Sequence, residues 1–335
     1  MTRLAIFDIL LAALILAEPV QAATGPVSST PAASTARTQP AQRDLAPSSE
    51  AAPPDPKPAP LRKGEPIHDR AAFRYMEQQG GKLLETGRLA TNLWSQTNRK
   101  RCRLALVEEK AFRLAPADIV PRVEDGVMVV GRFYLCSKCS KTHLATASGF
   151  IISASGAMAT SLHVLGQGQC RGMIAMDRGG RIFPVREVLA ADRINDSVIV
   201  QLEGSNFVPL PLSTRGPVGS PVVVLSHPSS HFYTISSGIV SRYLVQSRRN
   251  GLASYVAITA SFGAGSSGGP VFNEQGAVLG MVNNTEAIYA DHAGEEHKDF
   301  QISIFNCTTA KTLLEMVELP RSVPGRTPPV SGRSR

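Results

Sequence analysis

Short β-type runs dominate the chain from Val123 to Glu318. About a dozen segments rich in Val, Ile, Phe and Tyr follow one another there, each bounded by Gly, Pro, Asn, Asp or Ser, as in "GVMVVGRFYL", "DSVIVQLE" and "GAVLGMVN". No helical periodicity separates them, which argues against the alternating strands and helices of a parallel sheet. The pattern therefore predicts a mainly β domain, built as an antiparallel sandwich or barrel.

Helical spacing occurs on either side of the strand-rich runs. The segment "HDRAAFRYMEQQGGKLLETGRLATNLW", which starts at His68, is interrupted at Gly80-Gly81 and predicts one or two short helices. Near the other end, "TTAKTLLEMVE" predicts a C-terminal helix with Thr308 as its cap. We therefore divide the chain into a signal peptide, a linker, a helical N-terminal extension, the β domain and a basic disordered tail, at residues 1–22, 23–66, 67–122, 123–318 and 319–335.

The first 22 residues have the pattern of a secretory signal. Arg3 precedes an apolar run from Ile9 to Ala17, and Val20-Gln21-Ala22 fits a cleavage site. An uncleaved anchor is the alternative, although the run is too short to span a bilayer. No later run reaches the ~18 apolar residues of a membrane helix. We expect a mature protein without a membrane span, located in the periplasm or secreted.

Residues 23–66 and the C-terminal tail have the composition of flexible segments. The linker is dominated by Ala, Pro, Ser and Thr and contains no aromatic residue. The chain carries a net charge of +8 at pH 7, part of it in the Pro-rich tail and part in "NRKRCR". No aromatic residues alternate with these basic ones, as a nucleic-acid platform would need. We interpret the basic residues as solvated charge and expect no nucleic-acid partner.

Three polar residues stand beside predicted strands in the order His, Asp, Ser. His163 follows "AMATSL", Asp196 precedes "SVIVQLE", and Ser267 lies in "GAGSSGGPV". An imidazole can take the proton of a serine hydroxyl during attack on a carbonyl, and a carboxylate orients that imidazole. Gly265 is free to turn its N–H, beside that of Ser267, toward the oxyanion that forms. The set predicts nucleophilic acyl transfer.

Four segments carry a family resemblance: "ASGFIISASGAMATSLHVL", "DSVIVQLEG", "TISSGIVSRYL" and "GAGSSGGPVFNEQGAVLGMV". They resemble trypsin-like serine proteases, in particular the HtrA/Deg-type bacterial branch, over Val123 to Glu318. The resemblance implies two perpendicular six-stranded antiparallel β-barrels with the active site between them. It also implies that His163 is the base, Asp196 the orienting acid and Ser267 the nucleophile, with Gly265 and Ser267 as oxyanion donors.

The chain departs from the pattern of that family in two places. "TSLH" replaces Thr-Asn-x-His, and His227-Pro228 replaces the usual Asn-Pro. No segment is expected to form the PDZ domain that many HtrA-type proteins carry. The resemblance places Ser261 at the base of the primary specificity pocket. Because Ser261 is uncharged, we expect small or medium apolar side chains before the scissile bond.

The function that follows from this resemblance is an exported serine endopeptidase acting on peptides or proteins through an acyl-enzyme, without a cofactor. Its oligomeric state is left open. The alternative is a catalytically weak binding or chaperone-like module with the same fold. The run Gly265 to Gly269 also matches the Gly-x-Ser-x-Gly elbow of α/β-hydrolases. That fold needs a helix after the serine and places the acid and histidine later, whereas Pro270 and strand-like runs follow here.

The five cysteines and the remaining histidines give weaker signals. In "CSKCSKTH", Cys136, Cys139 and His143 have the types and spacing of metal ligands, but a second such pair is missing. We favour a disulfide or turn clasp between the two cysteines, because export implies an oxidising compartment. We expect two histidine pairs, His227 with His231 and His292 with His297, to be solvated. Two Asn-x-Thr sequons, at Asn283 and Asn306, matter only in a glycosylating host.

Overall fold

The computed structural model describes Leu61 and residues 63–167, 170–291 and 298–319. The predicted signal peptide, most of the linker and nearly all of the basic tail lie outside the described residues. No helix among the described residues is both long enough and apolar enough to cross a membrane. The elements in chain order are α1 (Asp69–Glu85), β1 (Cys102–Arg103), α2 (Pro116–Val123), β2 (Val127–Leu135), β3 (Thr142–Ile151), β4 (Ala157–Ser161), β5 (Cys170–Met176), β6 (Ile182–Asp192), β7 (Ser197–Leu202), β8 (Pro221–Ser226), β9 (Thr234–Arg248), β10 (Gly251–Ile258), β11 (Pro270–Phe272), β12 (Val278–Asp291), β13 (Lys298–Thr309), α3 (Ala310–Glu315) and β14 (Val317–Glu318).

Twelve of the strands close into two barrels of six. The first barrel has the order β2-β3-β4-β7-β6-β5, and the second has the order β10-β13-β12-β11-β8-β9. Every pairing within the barrels is antiparallel, while β1 and β14 pair in parallel outside them. Closure removes the exposed sheet edges that would otherwise invite aggregation. The predicted mainly β double barrel is confirmed.

Each barrel has its own apolar interior, and a third cluster joins the two. Met128 and Val198 are among the fully buried side chains of the first barrel, as are Val224 and Val256 in the second. The third cluster combines first-barrel side chains with second-barrel ones and with α2 and α3, and includes Phe150, Ile199, Leu225, Phe272 and Leu313. Burial of so much apolar surface between the barrels fixes their relative position, and with it the strand ends that meet there.

The N-terminal extension packs on the first barrel through α1. This helix runs without a break through Gly80-Gly81, so the predicted interruption is wrong. A Cβ at Gly80 would lie 2.5 Å from the Ile174 side chain and 2.7 Å from Phe133. Met76, one turn earlier, is fully buried in the same cluster. The glycine therefore permits close packing of the helix on the strands rather than ending the helix.

Two further boundaries differ from the predictions. Val123 ends α2 and is followed by a 3₁₀ turn at Glu124–Gly126, so β2, the first strand of the barrels, begins only at Val127. Thr308 is a buried residue of β13 rather than a helix cap. The C-terminal helix α3 follows Thr309, whose hydroxyl lies 3.3 Å from that of Thr312. Because β13 ends at Thr309 and α3 begins at Ala310, no loop residue marks the boundary in the sequence.

Candidate active site

The pairing of β4 with β7 brings His163 and Asp196 together. Ser161, the last residue of β4, pairs with Ser197, the first residue of β7, so the residues just beyond these two strand ends are neighbours. His163 lies in the 3₁₀ turn Leu162–Leu165 that follows β4, and Asp196 immediately precedes β7. The Leu162 N–H donates to the Asp196 carbonyl at 3.0 Å. The two side chains are therefore positioned by the frame of the first barrel.

The Asp196 carboxylate holds the His163 ring at a fixed orientation. Nδ1 of His163 lies 2.6 Å from Oδ2 of Asp196, and the His163 backbone N–H donates to Oδ1 at 2.9 Å. Asn283 donates to the same Oδ2 at 3.3 Å. Because the carboxylate only accepts, the proton lies on Nδ1 and Nε2 is left as the basic nitrogen. Asp196 has φ +52, in the left-handed region, and four hydrogen bonds hold it there, three at the carboxylate and one at the carbonyl.

Ser267 faces the same pocket as His163. A cavity of about 140 Å³ is lined by both residues together with Arg132, Ala147 and Gly265. Ser267 is half-buried and its carbonyl accepts from the Ser148 N–H of β3 at 3.0 Å, which ties the loop to the first barrel. Among the described residues no hydrogen bond joins the Ser267 hydroxyl to the imidazole. Such bonds are commonly long before substrate binds.

The Gly265 backbone has a conformation that a side chain would prevent. Its φ is +91, and a Cβ there would lie 2.7 Å from the carbonyl oxygen of His227. The peptides on both sides of Gly265 are fixed, because the Ala264 carbonyl accepts from the Ser229 N–H at 2.6 Å and the Gly265 carbonyl accepts from the Ser148 hydroxyl at 3.0 Å. Within the described residues the N–H groups of Gly265 and Ser267 donate to no protein acceptor. Both remain available to a ligand oxygen.

Ser266, the residue before Ser267, is neutral, and its side chain is hydrogen-bonded. The Ser266 side chain is buried, and its hydroxyl oxygen accepts from the Ser226 hydroxyl at 3.0 Å and from the Gly263 N–H at 3.4 Å. The Gly269 N–H donates to the Ser266 carbonyl at 2.8 Å. A buried charge at this position would need an opposite charge beside it. The neutral pair of hydroxyls removes that need.

His227 lies directly beneath this loop and is fully buried, so the prediction of a solvated side chain is wrong. Its ring packs edge-on against Tyr233 at 4.8 Å and Phe232 at 5.9 Å, and Nδ1 accepts from the Tyr233 N–H at 2.9 Å. Nε2 has no hydrogen-bond partner. Burial lowers the pKa of His227 to about 3, because an imidazolium would lose its hydration there. The His227 backbone N–H donates to the Ser148 hydroxyl, and that hydroxyl donates to the Gly265 carbonyl. Ser148 therefore links the backbone at His227 to the loop that carries Ser267.

A larger cleft on the other side of His163 is positively charged. Its volume is about 580 Å³, and its lining includes Arg193, Arg248 and Arg249, with Asp196 as the only acidic residue. Arg193 stacks over Trp94 at 5.1 Å and Arg248 stacks over the Tyr255 ring at 5.6 Å. These contacts hold two guanidinium groups in place. A ligand that extends from Ser267 past His163 therefore meets fixed positive charge.

The remaining predicted residues lie apart from this pocket. Ser261 is exposed, and its carbonyl accepts from the Ser236 hydroxyl at 2.6 Å; it does not line either cavity beside His163. His231 is exposed as predicted, 3.2 Å from Asp69. Asn283 and Asn306 are 9% and 0% exposed, so neither sequon is accessible in the folded chain. His292 and His297 lie outside the described residues.

Sequence reasoning missed Asn283, Ser148 and His227. Each one acts through a hydrogen bond to a residue far away in the chain, and the local motif around it has no feature of a site. Asn283 lies at a bulge of β12, where the pairing with β13 shifts between Val282 and Asn284, and this bulge places its amide near Asp196. A polar residue directly after the apolar run "AVLGMV" was the one signal available.

The predicted cysteine cluster is brought together at the β2–β3 turn. Cys136, Cys139 and His143 place their ligand atoms within 4.8 Å of one another. All five cysteines are free thiols, so the expected clasp between Cys136 and Cys139 is not formed in this structure. The backbone N–H groups of Cys139 and Lys138 point to the Cys136 sulfur and lower the pKa of that thiol.

Two closed antiparallel barrels therefore carry His163, Asp196 and Ser267 on the loops that meet between them. Residues 147–281 match the family described as "Trypsin-like peptidase domain", which confirms the resemblance. The chain is 32% identical over 155 residues to the putative serine protease HhoA of Synechocystis sp., covering 44% of this chain and 38% of that protein. It is 28% identical over 162 residues to a probable periplasmic serine endoprotease DegP-like of Hahella chejuensis, covering 48% and 33%.

A mammalian protein and a solved structure are also similar to the chain. The mitochondrial serine protease HTRA2 of Bos taurus is 29% identical over 175 residues, covering 49% of this chain and 37% of that protein. The solved structure described as HtrA-type protease AlgW with tripeptide has 20% identity and a TM-score of 0.49, covering 60% of this chain and 62% of that one. The chain thus spans 33% to 38% of the length of the three curated relatives.

Proposed function

We propose that this protein is a serine endopeptidase that hydrolyses peptide bonds through an acyl-enzyme on Ser267. One observation carries the proposal: the His163 ring is held by Asp196 at 2.6 Å on the wall of a pocket that also contains Ser267. A hydroxyl and a correctly oriented imidazole on one cavity are the requirements for serine acyl transfer. The match to the trypsin-like peptidase domain and the names of the relatives support it.

The reaction uses two atoms that make no hydrogen bond to the described residues, Oγ of Ser267 and Nε2 of His163. Ser267 Oγ attacks the scissile carbonyl carbon while Nε2 of His163 takes its proton. The imidazolium then gives that proton to the leaving amine, and the acyl group remains on Ser267. Water enters, loses a proton to Nε2 and releases the new carboxylate. None of these steps needs a cofactor.

Asp196 and the glycine loop stabilise the charges that appear during these steps. The carboxylate holds the Nδ1–H tautomer and offsets the positive imidazolium, and the Asn283 amide holds the carboxylate. The N–H groups of Gly265 and Ser267 stabilise the tetrahedral oxyanion, which is commonly worth about 2.7–4 kcal/mol for one donor. The Ala264 carbonyl, in the same peptide unit as the Gly265 N–H, accepts from the Ser229 N–H at 2.6 Å and keeps that N–H in place before substrate arrives.

The names of the relatives and the first 22 residues support a class of substrate and a location. The relatives are named as serine proteases, and one of them as a periplasmic endoprotease. We therefore infer peptide or protein substrates and a periplasmic or secreted location, in agreement with the signal-like first 22 residues. The neutral Ser266 and Ser226 pair supports an enzyme that needs no newly cut, charged N-terminus for activity.

The arginine cleft supports a preference for peptides with an acidic residue on the His163 side of the scissile bond. Arg249 lines that cleft, whereas Arg242 lies exposed on β9 away from it. We expect Arg249→Glu to lower kcat/KM for acidic peptides and to change neutral ones little. Arg242→Glu is the matched control with the same charge change, and equal losses in both variants would count against the cleft. The role of Ser261 in favouring apolar residues before the bond stays a prediction.

A broad peptide library tests the proposal. We expect cleavage by the wild-type protein, a loss of up to roughly 10⁶-fold in kcat for Ser267→Ala and of roughly 10⁴-fold for Asp196→Asn. Thermal unfolding of both variants should match wild type, since Ser267 and Asp196 are only partly buried. If the wild-type protein cleaves no member of the library and still binds peptides, the binding or chaperone-like module is the better description.

A further inference from the structure

We propose that Cys136, Cys139 and His143 form a zinc site at the end of the β2–β3 hairpin. The structure brings two sulfurs and one imidazole nitrogen within 4.8 Å of one another, and no other group of this kind occurs among the described residues. Sγ of Cys139 and Nε2 of His143 lie 3.0 Å apart. The strand register sets this contact, because His143 pairs with Tyr134, just before the turn that carries the cysteines.

The distances suit a tetrahedral ion. With bonds of about 2.3 Å to sulfur and 2.0–2.1 Å to nitrogen, ligand atoms around zinc lie about 3.6 to 3.8 Å apart. No separation here, each being within 4.8 Å, therefore has to close by more than about 1 Å, and the contact between Cys139 and His143 opens by about 0.6 Å. Side-chain rotation at an exposed turn supplies such movements. Zinc needs no change in the backbone of the hairpin.

The backbone of the turn keeps the two cysteines close together. The Cys136 N–H donates to the Lys141 carbonyl at 2.9 Å, and the Ser140 N–H donates to the Cys136 carbonyl at 2.9 Å. Ser140, with φ +55, reverses the chain between Cys139 and the start of β3. The turn therefore holds both sulfurs on the side of His143.

The donor set selects the ion and leaves one coordination position open. Two thiolates and one imidazole are the ligands of soft or borderline ions, of which zinc prefers four-coordinate tetrahedral geometry. Binding releases one proton from each cysteine to solvent and forms two Zn–S bonds and one Zn–N bond, with no change of oxidation state. Because Cys139 is exposed, the fourth position is taken by water.

The site joins the ends of two strands that also form a wall of the active-site pocket. Arg132 of β2 pairs with Ala145 of β3, and both line the cavity that contains Ser267. An ion that bridges the turn to His143 reduces fraying of these strand ends. We therefore expect zinc to order this wall, an effect that is separate from the hydrolytic steps and measurable without them.

Metal binding by the full, reduced chain tests the site. After treatment with a chelator, the wild-type protein should bind one zinc ion, and Co²⁺ alone should give the near-ultraviolet thiolate-to-metal band and the visible bands of a tetrahedral ion. Cys136→Ser and His143→Ala should bind zinc at least about 100-fold more weakly, because loss of a ligand exceeds the usual cost of losing a supporting group. Cys170→Ser and His231→Ala are the matched controls and should bind as wild type does.

Hydrogen exchange gives a second measurement that needs no variant. Zinc should slow amide exchange in the β2–β3 turn and leave the β9–β10 hairpin unchanged. Absence of zinc and cobalt binding by the reduced chain, unchanged affinity in Cys136→Ser, or a Cys136–Cys139 disulfide in protein purified from an oxidising compartment would overturn the proposal. None of these results bears on hydrolysis at Ser267.

Discussion

Buried His227 predicts that acid destabilises this fold through one identified residue. Its ring is fully buried, with one nitrogen bonded to the Tyr233 N–H and the other without a partner. The pKa is about 3 in the folded chain, against 6.5 for a fully hydrated histidine such as that of the unfolded chain. Between these two values the unfolded chain binds a proton that the folded chain does not. Stability is therefore complete above pH 6.5 and falls as the pH drops toward 3.

The size of the effect follows from the two pKa values. Lowering the pH from 7 to 5 should cost about 2 kcal/mol of unfolding free energy at this one residue, and the loss continues toward a limit of about 5 kcal/mol near pH 3. His227→Gln is neutral throughout this range and keeps an oxygen that can accept from the Tyr233 N–H. This variant has lower stability at pH 7, because the aromatic packing is lost, but it lacks the pH-dependent part.

Urea unfolding at pH 7, 6 and 5 provides the assay. The difference in unfolding free energy between wild type and His227→Gln should shrink by about 2 kcal/mol from pH 7 to pH 5. His231→Gln is the matched control, because His231 is exposed and its substitution should give curves parallel to wild type. Parallel pH dependence of wild type and His227→Gln would refute the argument and would mean that His227 is protonated or hydrated in the folded chain.

Three further substitutions probe the second barrel, the oxyanion loop and the helical extension. Burial acts to raise the pKa of Glu109, but hydrogen bonds from Asn273, Arg215 and Ser213 outweigh it and lower the pKa below 4.5. In urea unfolding at pH 7, Glu109→Gln should therefore lose about 1–3 kcal/mol of unfolding free energy. This loss should fade as the pH falls below 4.5, and an equal loss at all pH values would contradict the argument. Gly265→Ala should leave the fold intact by circular dichroism and lower kcat by about 100-fold or more, because its Cβ would meet the His227 carbonyl; unchanged kcat would exclude this N–H as a donor. Met76→Ala should cost about 2–5 kcal/mol in thermal or urea unfolding, and a negligible cost would mean that α1 is not part of the cooperative fold.

His163, Asp196 and Ser267 could be selected from the sequence as candidates because each one stands close to a strand of clear pattern. The apolar runs predicted an antiparallel sandwich or barrel, and the family resemblance added the two barrels and the roles of His163, Asp196 and Ser267. The structure brings His163 to 2.6 Å from Asp196 through the β4–β7 register and into one cavity with Ser267. Local sequence is sufficient to find a candidate residue when its side-chain chemistry fits a reaction and it lies next to a strand with a clear apolar pattern.

The wrong predictions share a different cause. Gly80 suggested a helix break, but Phe133 and Ile174 on remote strands require a residue without a side chain at that point of α1. His227 suggested a solvated loop, but Phe232 and Tyr233 enclose it. In both cases the deciding atoms come from tertiary packing, which overrides local propensity and leaves no trace in the neighbouring sequence.

Covalent labelling by an active-site serine probe tests the central claim most directly. Full-length protein and its Ser267→Ala and Ser237→Ala variants should be treated with an organophosphorus probe and analysed by peptide mass spectrometry. Ser237 is an exposed serine of β9 outside the pocket and serves as the matched control. We predict one label per chain on Ser267 in wild type and in Ser237→Ala, and none in Ser267→Ala. Labelling that persists in Ser267→Ala, or no labelling of wild type under conditions in which it is folded, would contradict the assignment of Ser267 as the nucleophile.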